Sequence, residues 1–125
     1  MISKINPSSR VPIYQQLIDQ VAFRIAVGEL PADEQLPSIR SLSSTLHINP
    51  NTVIKAYREL EYLGYAYSKH GMGYYIAKQG VAAAREKWQT RIMDELRQVA
   101  TRALALGMSR ELILSTIART VDKGA

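Results

Sequence analysis

The stretch that decides the fold is LPSIRSLSSTLHINPNTVIKAYRELEYLGYAYSKHGMG, residues 36–73. Ser38 is a good helix N-cap, and the apolar residues after it recur at helical spacing. Asn49 is a second strong N-cap, and Pro50 suits the first position of the next helix. Two tyrosine-rich stretches then flank a turn with two glycines, which predicts a β-hairpin. The pattern indicates a winged helix-turn-helix.

The segments on either side of the two helices complete this unit. Pro12 suits a first turn and Gly28 is a natural stop, so the periodic apolar residues between them predict a first helix. A loop separates that helix from the one that Ser38 caps. At the other end, the strands of the hairpin are predicted at 65–69 and 74–78.

After Gly80 the pattern changes to a long seam of apolar residues at alternating four- and three-residue steps, which is typical of a heptad repeat. Ser109 can cap a last helix with its own apolar face. Two such helices cannot enclose a core alone, so their apolar faces need the first domain or a second subunit, and we favour a homodimer. The predicted dimer-interface residues are Trp88, Ile92, Leu96, Val99, Ala103, Leu106, Ile113 and Ile117.

Together these elements predict an α+β fold that is mainly α: an N-terminal winged helix-turn-helix followed by a short C-terminal two-helix dimerisation tail. We place the winged helix-turn-helix at 1–78 and the helical tail at 79–125. A chain of 125 residues with 46% hydrophobic content can build one compact domain and a small appendage.

The composition argues against several classes of protein. The chain has no Cys, which excludes disulfides and thiolate metal sites, and its two His are too far apart in sequence for a metal motif. We find no Gly-rich phosphate loop, no nucleophile–base pair and no plausible carboxylate pair, so we expect neither an enzyme nor a cofactor. The N-terminal segment lacks the apolar core of a signal peptide, and no apolar run could span a bilayer. We therefore expect a cytoplasmic protein without a membrane partner.

The charge distribution favours a polyanionic partner. The net charge is +5, and residues 1–37 carry three Lys/Arg against four Asp/Glu, whereas residues 38–78 carry five against two. Residues 79–125 carry eight against five, which suits a solvated helix face. Because the positive excess begins where the helix-turn-helix begins, we expect double-stranded DNA as the partner.

The start of the second helix of the motif carries groups that recognise bases, which is where a recognition helix contacts DNA. Asn can form two hydrogen bonds with adenine, and Thr can bond a base or touch a thymine methyl group. Asn49 is a cap in any case, Tyr57 can instead pack against the first helix, and Arg58 can instead pair with nearby carboxylates. The DNA contacts predicted from the residues are Arg40, Asn49, Asn51, Thr52, Lys55, Tyr57, Arg58, Lys69 and His70.

Several segments are more specific as a set than singly: PIYQQL at 12–17, GEL at 28–30 with Pro31, LPSIRSL at 36–42, NPNTVIKAYRELEYLGY at 49–65 and HGMGYYI at 70–76. As a set they resemble the GntR family of bacterial transcription regulators, and its short YtrA-type subfamily in particular. The resemblance implies a winged helix that binds a palindromic operator as a dimer, held together by a short helical pair. It adds Pro50 and Gly71 to the predicted DNA contacts.

We therefore expect a sequence-specific DNA-binding regulator, a repressor that acts as a homodimer on a nearby operon, often one for membrane transport in this subfamily. The alternative is a winged-helix protein-interaction module without sequence-specific DNA binding. Whether an unknown small-molecule effector regulates the protein stays an open question, and Trp88 is a candidate wall of the site that would bind it. Many family members have Arg in place of Pro50 and Gly in place of Ala32, so the operator need not match theirs.

Overall fold

The structure is a computed structural model that describes residue 2 and residues 4–124. Its elements are α1 (Ile13–Ala26), α2 (Ile39–Leu46), α3 (Pro50–Tyr62), β1 (Ala66–Lys69), β2 (Gly73–Ile76), α4 (Lys78–Ala105) and α5 (Arg110–Gly124). Their contacts divide the chain into two compact units, Met1–Trp88 and Gln89–Ala125. The predicted fold, a winged helix-turn-helix followed by helices, is confirmed.

Local sequence explains where α2 and α3 begin. The Ser38 Oγ accepts a hydrogen bond from the Ser41 amide at 3.0 Å, and the Asn49 Oδ1 accepts one from the Asn51 amide at 2.8 Å. Both residues therefore cap their helices as predicted, since each satisfies an amide that has no partner within the helix. His47 ends α2 with a φ of 55°, in the left-handed region, which turns the chain sharply before α3.

The core of the winged unit lies mainly between α1 and α3. The periodic apolar residues of α1 are mostly buried, and β2 closes the core beside the two helices. Fully buried side chains include Leu17, Val21 and Ile25 of α1, Val53 and Leu60 of α3, and Ile76 of β2.

The segment before α1, for which the pattern predicted no structure, also packs on the winged unit. Ile2 is buried in the core cluster. The Gln16 Nε2 donates hydrogen bonds to the carbonyls of Asn6 and Val11 at 2.9 and 2.8 Å. The Gln20 Nε2 also donates a hydrogen bond to the carbonyl of Lys4. Side-chain amides of α1 therefore anchor the segment before it.

The loop predicted between α1 and α2 contributes to the wing. β1 and β2 pair antiparallel, and residues 33–36 lie along the other edge of β2. Three backbone hydrogen bonds join them, including the one from the Leu36 amide to the Tyr74 carbonyl at 2.8 Å. The positive φ of this segment falls on Asp33, at 69°, and not on Ala32, so the turn forms without glycine at position 32. The wing is thus bonded to the segment that leads directly into α2.

The first part of α4 packs with the winged unit, and the compact unit that contains it runs to Trp88. Ala84 is fully buried, and the Trp88 ring meets the Phe23 ring edge-on at 5.1 Å. Trp88, which the sequence places in the dimer seam, is half-buried in its own unit because Phe23 of α1 lies opposite its ring, and the rest of its surface is accessible.

The tail unit leaves most of its apolar side chains uncovered. Leu106 is 82% exposed and Val121 is 61% exposed, and α5 has no buried residue within the described part of the chain. The end of α4 and α5 share an apolar groove of about 150 Å³, lined by Leu96, Val99, Ala100, Ala103, Met108, Ile113, Thr116 and Ile117. Two helices of this size do not shield their own apolar faces, which is the feature that the sequence pattern indicated.

Candidate nucleic-acid interface

The start of α3 presents polar side chains to solvent. Asn51 is exposed and Thr52 is half-buried, whereas Val53, the next residue, is fully buried. Because the apolar stripe of α3 is fixed in the core, the rotation of the helix is fixed too, and Asn51 points outward. The predicted base-reading position is therefore accessible.

Asn49 has less freedom than Asn51. Its Oδ1 already accepts the Asn51 amide, which occupies one of the two lone pairs of that oxygen and fixes the orientation of the side chain. The paired donor and acceptor contact that Asn makes with adenine needs both atoms. Asn49 can thus bind a phosphate or a single base acceptor, while Asn51 can make the two-bond contact.

Two arginines on the helix-turn-helix are exposed. Arg40 lies in the first turn of α2, and Arg58 lies on α3. Neither makes an ion pair with another residue in the part of the chain that the structure describes. Glu61, a carboxylate near Arg58 in sequence, instead accepts hydrogen bonds from the Ser68 amide and hydroxyl. Both guanidinium groups are therefore available to phosphates.

Lys55 is exposed, and its ammonium lies over the Tyr14 ring, 3.8 Å from the centroid. A cation–π contact at an exposed site contributes only about 0.5–1 kcal/mol. A charge-assisted hydrogen bond to a phosphate is of similar or greater strength, about 1.5–3 kcal/mol. DNA can therefore draw the ammonium away from Tyr14 at small cost.

Tyr57 lies in the core, so the predicted phosphate contact through its hydroxyl is wrong. Its side chain is 1% exposed, its ring meets that of Tyr74 edge-on at 5.2 Å, and its hydroxyl donates to the Pro37 carbonyl at 2.7 Å. Burial raises the pKa of Tyr57 well above its ordinary value, because the phenolate is poorly solvated there. The signal was in the sequence: positions 53, 57 and 60 follow the apolar spacing of one helix face.

We expect Tyr57→Phe to lower the free energy of unfolding by about 1 kcal/mol, because the Pro37 carbonyl loses its donor. The raised pKa favours the neutral phenol in the folded state, so this contribution is present below the ordinary phenol pKa of about 10 and is lost as the pH rises above it. Urea unfolding at neutral and alkaline pH measures both effects. Tyr62→Phe is the control, because Tyr62 is 84% exposed; equal losses at the two positions would contradict the role of the buried hydrogen bond.

The wing tip is exposed and closed by a tight turn. Lys69, His70 and Gly71 are all exposed, and the Met72 amide donates to the Lys69 carbonyl at 2.9 Å. Gly71 has a φ of 71° in this turn, which glycine adopts without strain. The predicted contacts of the wing thus lie together at its end.

One face of the wing is built from stacked aromatic side chains. The rings of Tyr67 and Tyr75 stack at 5.7 Å, and the Lys69 ammonium lies 4.6 Å from the centroid of Tyr75. The Tyr67 hydroxyl donates to Asp33 Oδ1 at 2.9 Å, and this hydrogen bond raises the pKa of Tyr67. These rings hold the strands and the preceding loop together, so they serve the shape of the wing.

The accessible candidate contacts therefore lie in three places on the winged unit: the first turn of α2, the start of α3 and the wing tip.

No helix in the described part of the chain has the length and apolar character needed to cross a membrane. Within the same residues, no group of three or more His, Asp or Glu side chains could hold a metal ion.

The model of the bacterial regulatory proteins of the GntR family matches residues 13–76, from the start of α1 to the end of β2. The chain belongs to the GntR family. It is 36% identical to the HTH-type transcriptional repressor YtrA of Bacillus subtilis (strain 168), over 86% of this chain and 83% of that protein. This similarity extends beyond the winged unit and identifies the chain as a YtrA-type member.

Solved structures support the same assignment. A transcriptional regulator from Oenococcus oeni matches this GntR-family protein with a TM-score of 0.75 and 32% identity, over 94% of this chain and 97% of that chain. The DNA-binding domain of AraR, solved in complex with operator ORX1, matches with a TM-score of 0.54 and 26% identity, over 59% of this chain and 92% of that chain. The protein is thus a GntR-family transcriptional regulator, a DNA-binding factor and not an enzyme.

Proposed function

We propose that this regulator is a repressor that binds a palindromic operator as a homodimer and controls a nearby operon, with membrane transport as the expected class of target. The observation that carries the proposal is the combination of two exposed surfaces on one chain. The start of α3 is polar and accessible, and the tail is apolar and uncovered. The polar surface of α3 suits base recognition, and the apolar surface of the tail suits association with a second copy of this chain.

The contacts in this proposal divide by what they recognise. Asn51 and Thr52 read bases, since their side chains are short, polar and placed at the start of α3. Positively charged side chains and the free donors at helix starts bind phosphates and set the register. The proposed phosphate and wing contacts are Arg40, Asn49, Pro50, Lys55, Arg58, Lys69, His70 and Gly71.

The dimer follows from the tail. A two-fold symmetric dimer presents two copies of α3, which fit half-sites about 34 Å apart, one turn of the DNA helix. The proposed interface comprises Trp88, Ile92, Leu96, Val99, Ala103, Leu106, Ile113 and Ile117. Because the relative YtrA is named a repressor, occupancy of an operator is the simplest mode of control to propose here.

An effector has little room within the tail unit. Its apolar groove measures about 150 Å³, whereas small-molecule sites are commonly about 300–1,000 Å³. We therefore place any effector of this regulator outside that groove, and the proposal does not depend on one.

The experiment that tests the proposal is selection of binding sites from a random duplex DNA pool, followed by anisotropy titrations of the selected site and of random DNA at two salt concentrations. We expect a two-fold symmetric consensus, and an affinity that falls steeply with salt because several phosphates are contacted. A pool that yields no consensus, with equal and weak binding to all duplexes, would overturn sequence-specific binding and favour a protein-interaction module.

We expect Asn51→Ala to cost about 1–3 kcal/mol on the selected operator and to relax the preference for one base there, because that base loses its partner. Arg40→Ala is the contrasting variant: it removes a phosphate contact and weakens binding to operator and random DNA alike. The two variants are compared by titration against the operator, single-base variants of it and random DNA. Equal losses on all duplexes for Asn51→Ala would contradict its base-reading role.

A further inference from the structure

The wing tip is held by a side chain from outside the wing. The Gln35 Nε2 donates a hydrogen bond to the Met72 carbonyl at 2.9 Å, across 37 positions in the sequence. Met72 directly follows His70 and Gly71 in the turn. The bond therefore acts on the residues that the proposed function brings to DNA.

The tip needs such an anchor because the strand ladder stops before it. The last pair of the hairpin is Lys69 with Gly73, which leaves residues 70–72 outside the ladder. Gly71 and Gly73 both have positive φ values, 71° and 103°, and glycine gives the backbone many alternatives. The Met72 amide donates to the Lys69 carbonyl and so closes the turn. The Met72 carbonyl accepts the hydrogen bond from Gln35, which fixes the position of the same residue from outside the turn.

Gln35 is itself well fixed. The backbone of Gln35 forms an isolated β-bridge with Tyr75. The next residue, Leu36, is buried, and its amide donates a hydrogen bond to the Tyr74 carbonyl. A Cβ on Gly73 would lie 3.1 Å from the Gln35 Nε2, so glycine at this position leaves room for the amide. The side chain therefore starts from a rigid backbone and reaches a site with space for it.

The same segment connects the wing to α2. Pro37 and Ser38 follow Leu36 directly, and Ser38 caps the helix that carries Arg40. A bond from Gln35 to the wing tip thus sets the tip relative to the start of α2. The wing tip and the first turn of α2 are two of the three places on the protein that carry accessible candidate contacts to DNA.

We propose that Gln35 is a positioning residue for DNA recognition: its side-chain amide holds the wing tip so that His70 and Gly71 meet the DNA in register with α2. This inference rests on the proposed use of the wing in operator binding. Gln35 need not touch DNA itself. Its effect passes through the Met72 carbonyl.

The test is Gln35→Met, which keeps the length of the side chain and its lack of charge but removes the donor. Gln79→Met is the matched control, since Gln79 is exposed and makes no side-chain hydrogen bond to a described residue. We expect Gln35→Met to weaken operator binding about threefold to tenfold per half-site, the equivalent of one modest hydrogen bond, with an unchanged melting temperature. ¹⁵N relaxation of Gly71 and Gly73 should show a more mobile tip, and Gln79→Met should change neither property.

A double-mutant cycle with His70→Ala separates positioning from a general structural role. If Gln35 acts through the wing, adding Gln35→Met to His70→Ala weakens operator binding little further. Fully additive losses, or a melting temperature that falls with affinity, would overturn the inference. If His70→Ala weakens binding and Gln35→Met does not, the inference fails and the proposed wing contact stands. If neither variant changes affinity, the wing contact fails, and the inference fails with it.

Discussion

Leu96→Glu is expected to convert the proposed homodimer into monomers. Leu96 lies on α4 within the tail unit, where its side chain is 49% exposed and lines the apolar groove. A carboxylate buried in an apolar interface without a partner costs about 3–5 kcal/mol, which raises the dimer dissociation constant by more than about 100-fold. Sedimentation velocity at micromolar concentration measures the change. Operator affinity should fall with it, because a monomer engages one half-site at a time.

The matched control is Gln98→Glu, which introduces the same charge two positions further along α4 at an exposed polar residue. We expect this variant to remain a dimer. Circular dichroism of both variants checks that the helices of the tail persist, because Leu96 also faces α5 across the groove. If Leu96→Glu stays dimeric with its helices intact, the seam is not the interface and the subunits associate elsewhere.

The features of the winged unit that the sequence predicted are those determined by neighbouring residues. Ser38 and Asn49 cap helices through bonds to amides two or three residues away, so their spacing alone locates the starts of α2 and α3. Gly28, with a φ of 88°, follows the end of α1 where the pattern placed a stop. Such signals do not depend on how the chain packs at long range.

The features that the sequence did not predict are contacts between distant segments. The bond from Gln35 to Met72 spans 37 positions, and nothing in either local pattern indicates it. Tyr57 was different, because its position on the buried stripe of α3 was visible in the spacing; the hydroxyl, which suggested DNA, finds the Pro37 carbonyl 20 positions away. The aromatic and polar character of a residue near a recognition helix is therefore weaker evidence than its place in the helical period.

Gly80→Ala is expected to lower the free energy of unfolding by about 1–3 kcal/mol, the usual cost of overpacking a close contact. The sequence pattern marks Gly80 merely as the point where the tail begins. In the structure, a Cβ there would lie 2.7 Å from the Tyr65 Cα and 2.8 Å from the Gly64 carbonyl oxygen. Both are backbone atoms, so the clash cannot be relieved by rotating a side chain. Urea unfolding followed by circular dichroism measures the loss.

Gly124→Ala is the control for this prediction, because it makes the same change in a helix where nothing lies within 4 Å of the added Cβ. Alanine has a helix propensity about 1 kcal/mol better than glycine, so this variant should be neutral or slightly more stable. The same gain applies at Gly80 and opposes the clash there. A Gly80→Ala protein as stable as Gly124→Ala would therefore mean that α4 can begin without close contact with Gly64 and Tyr65. A clear loss at Gly80 alone would show that this contact fixes the start of α4 on the winged unit.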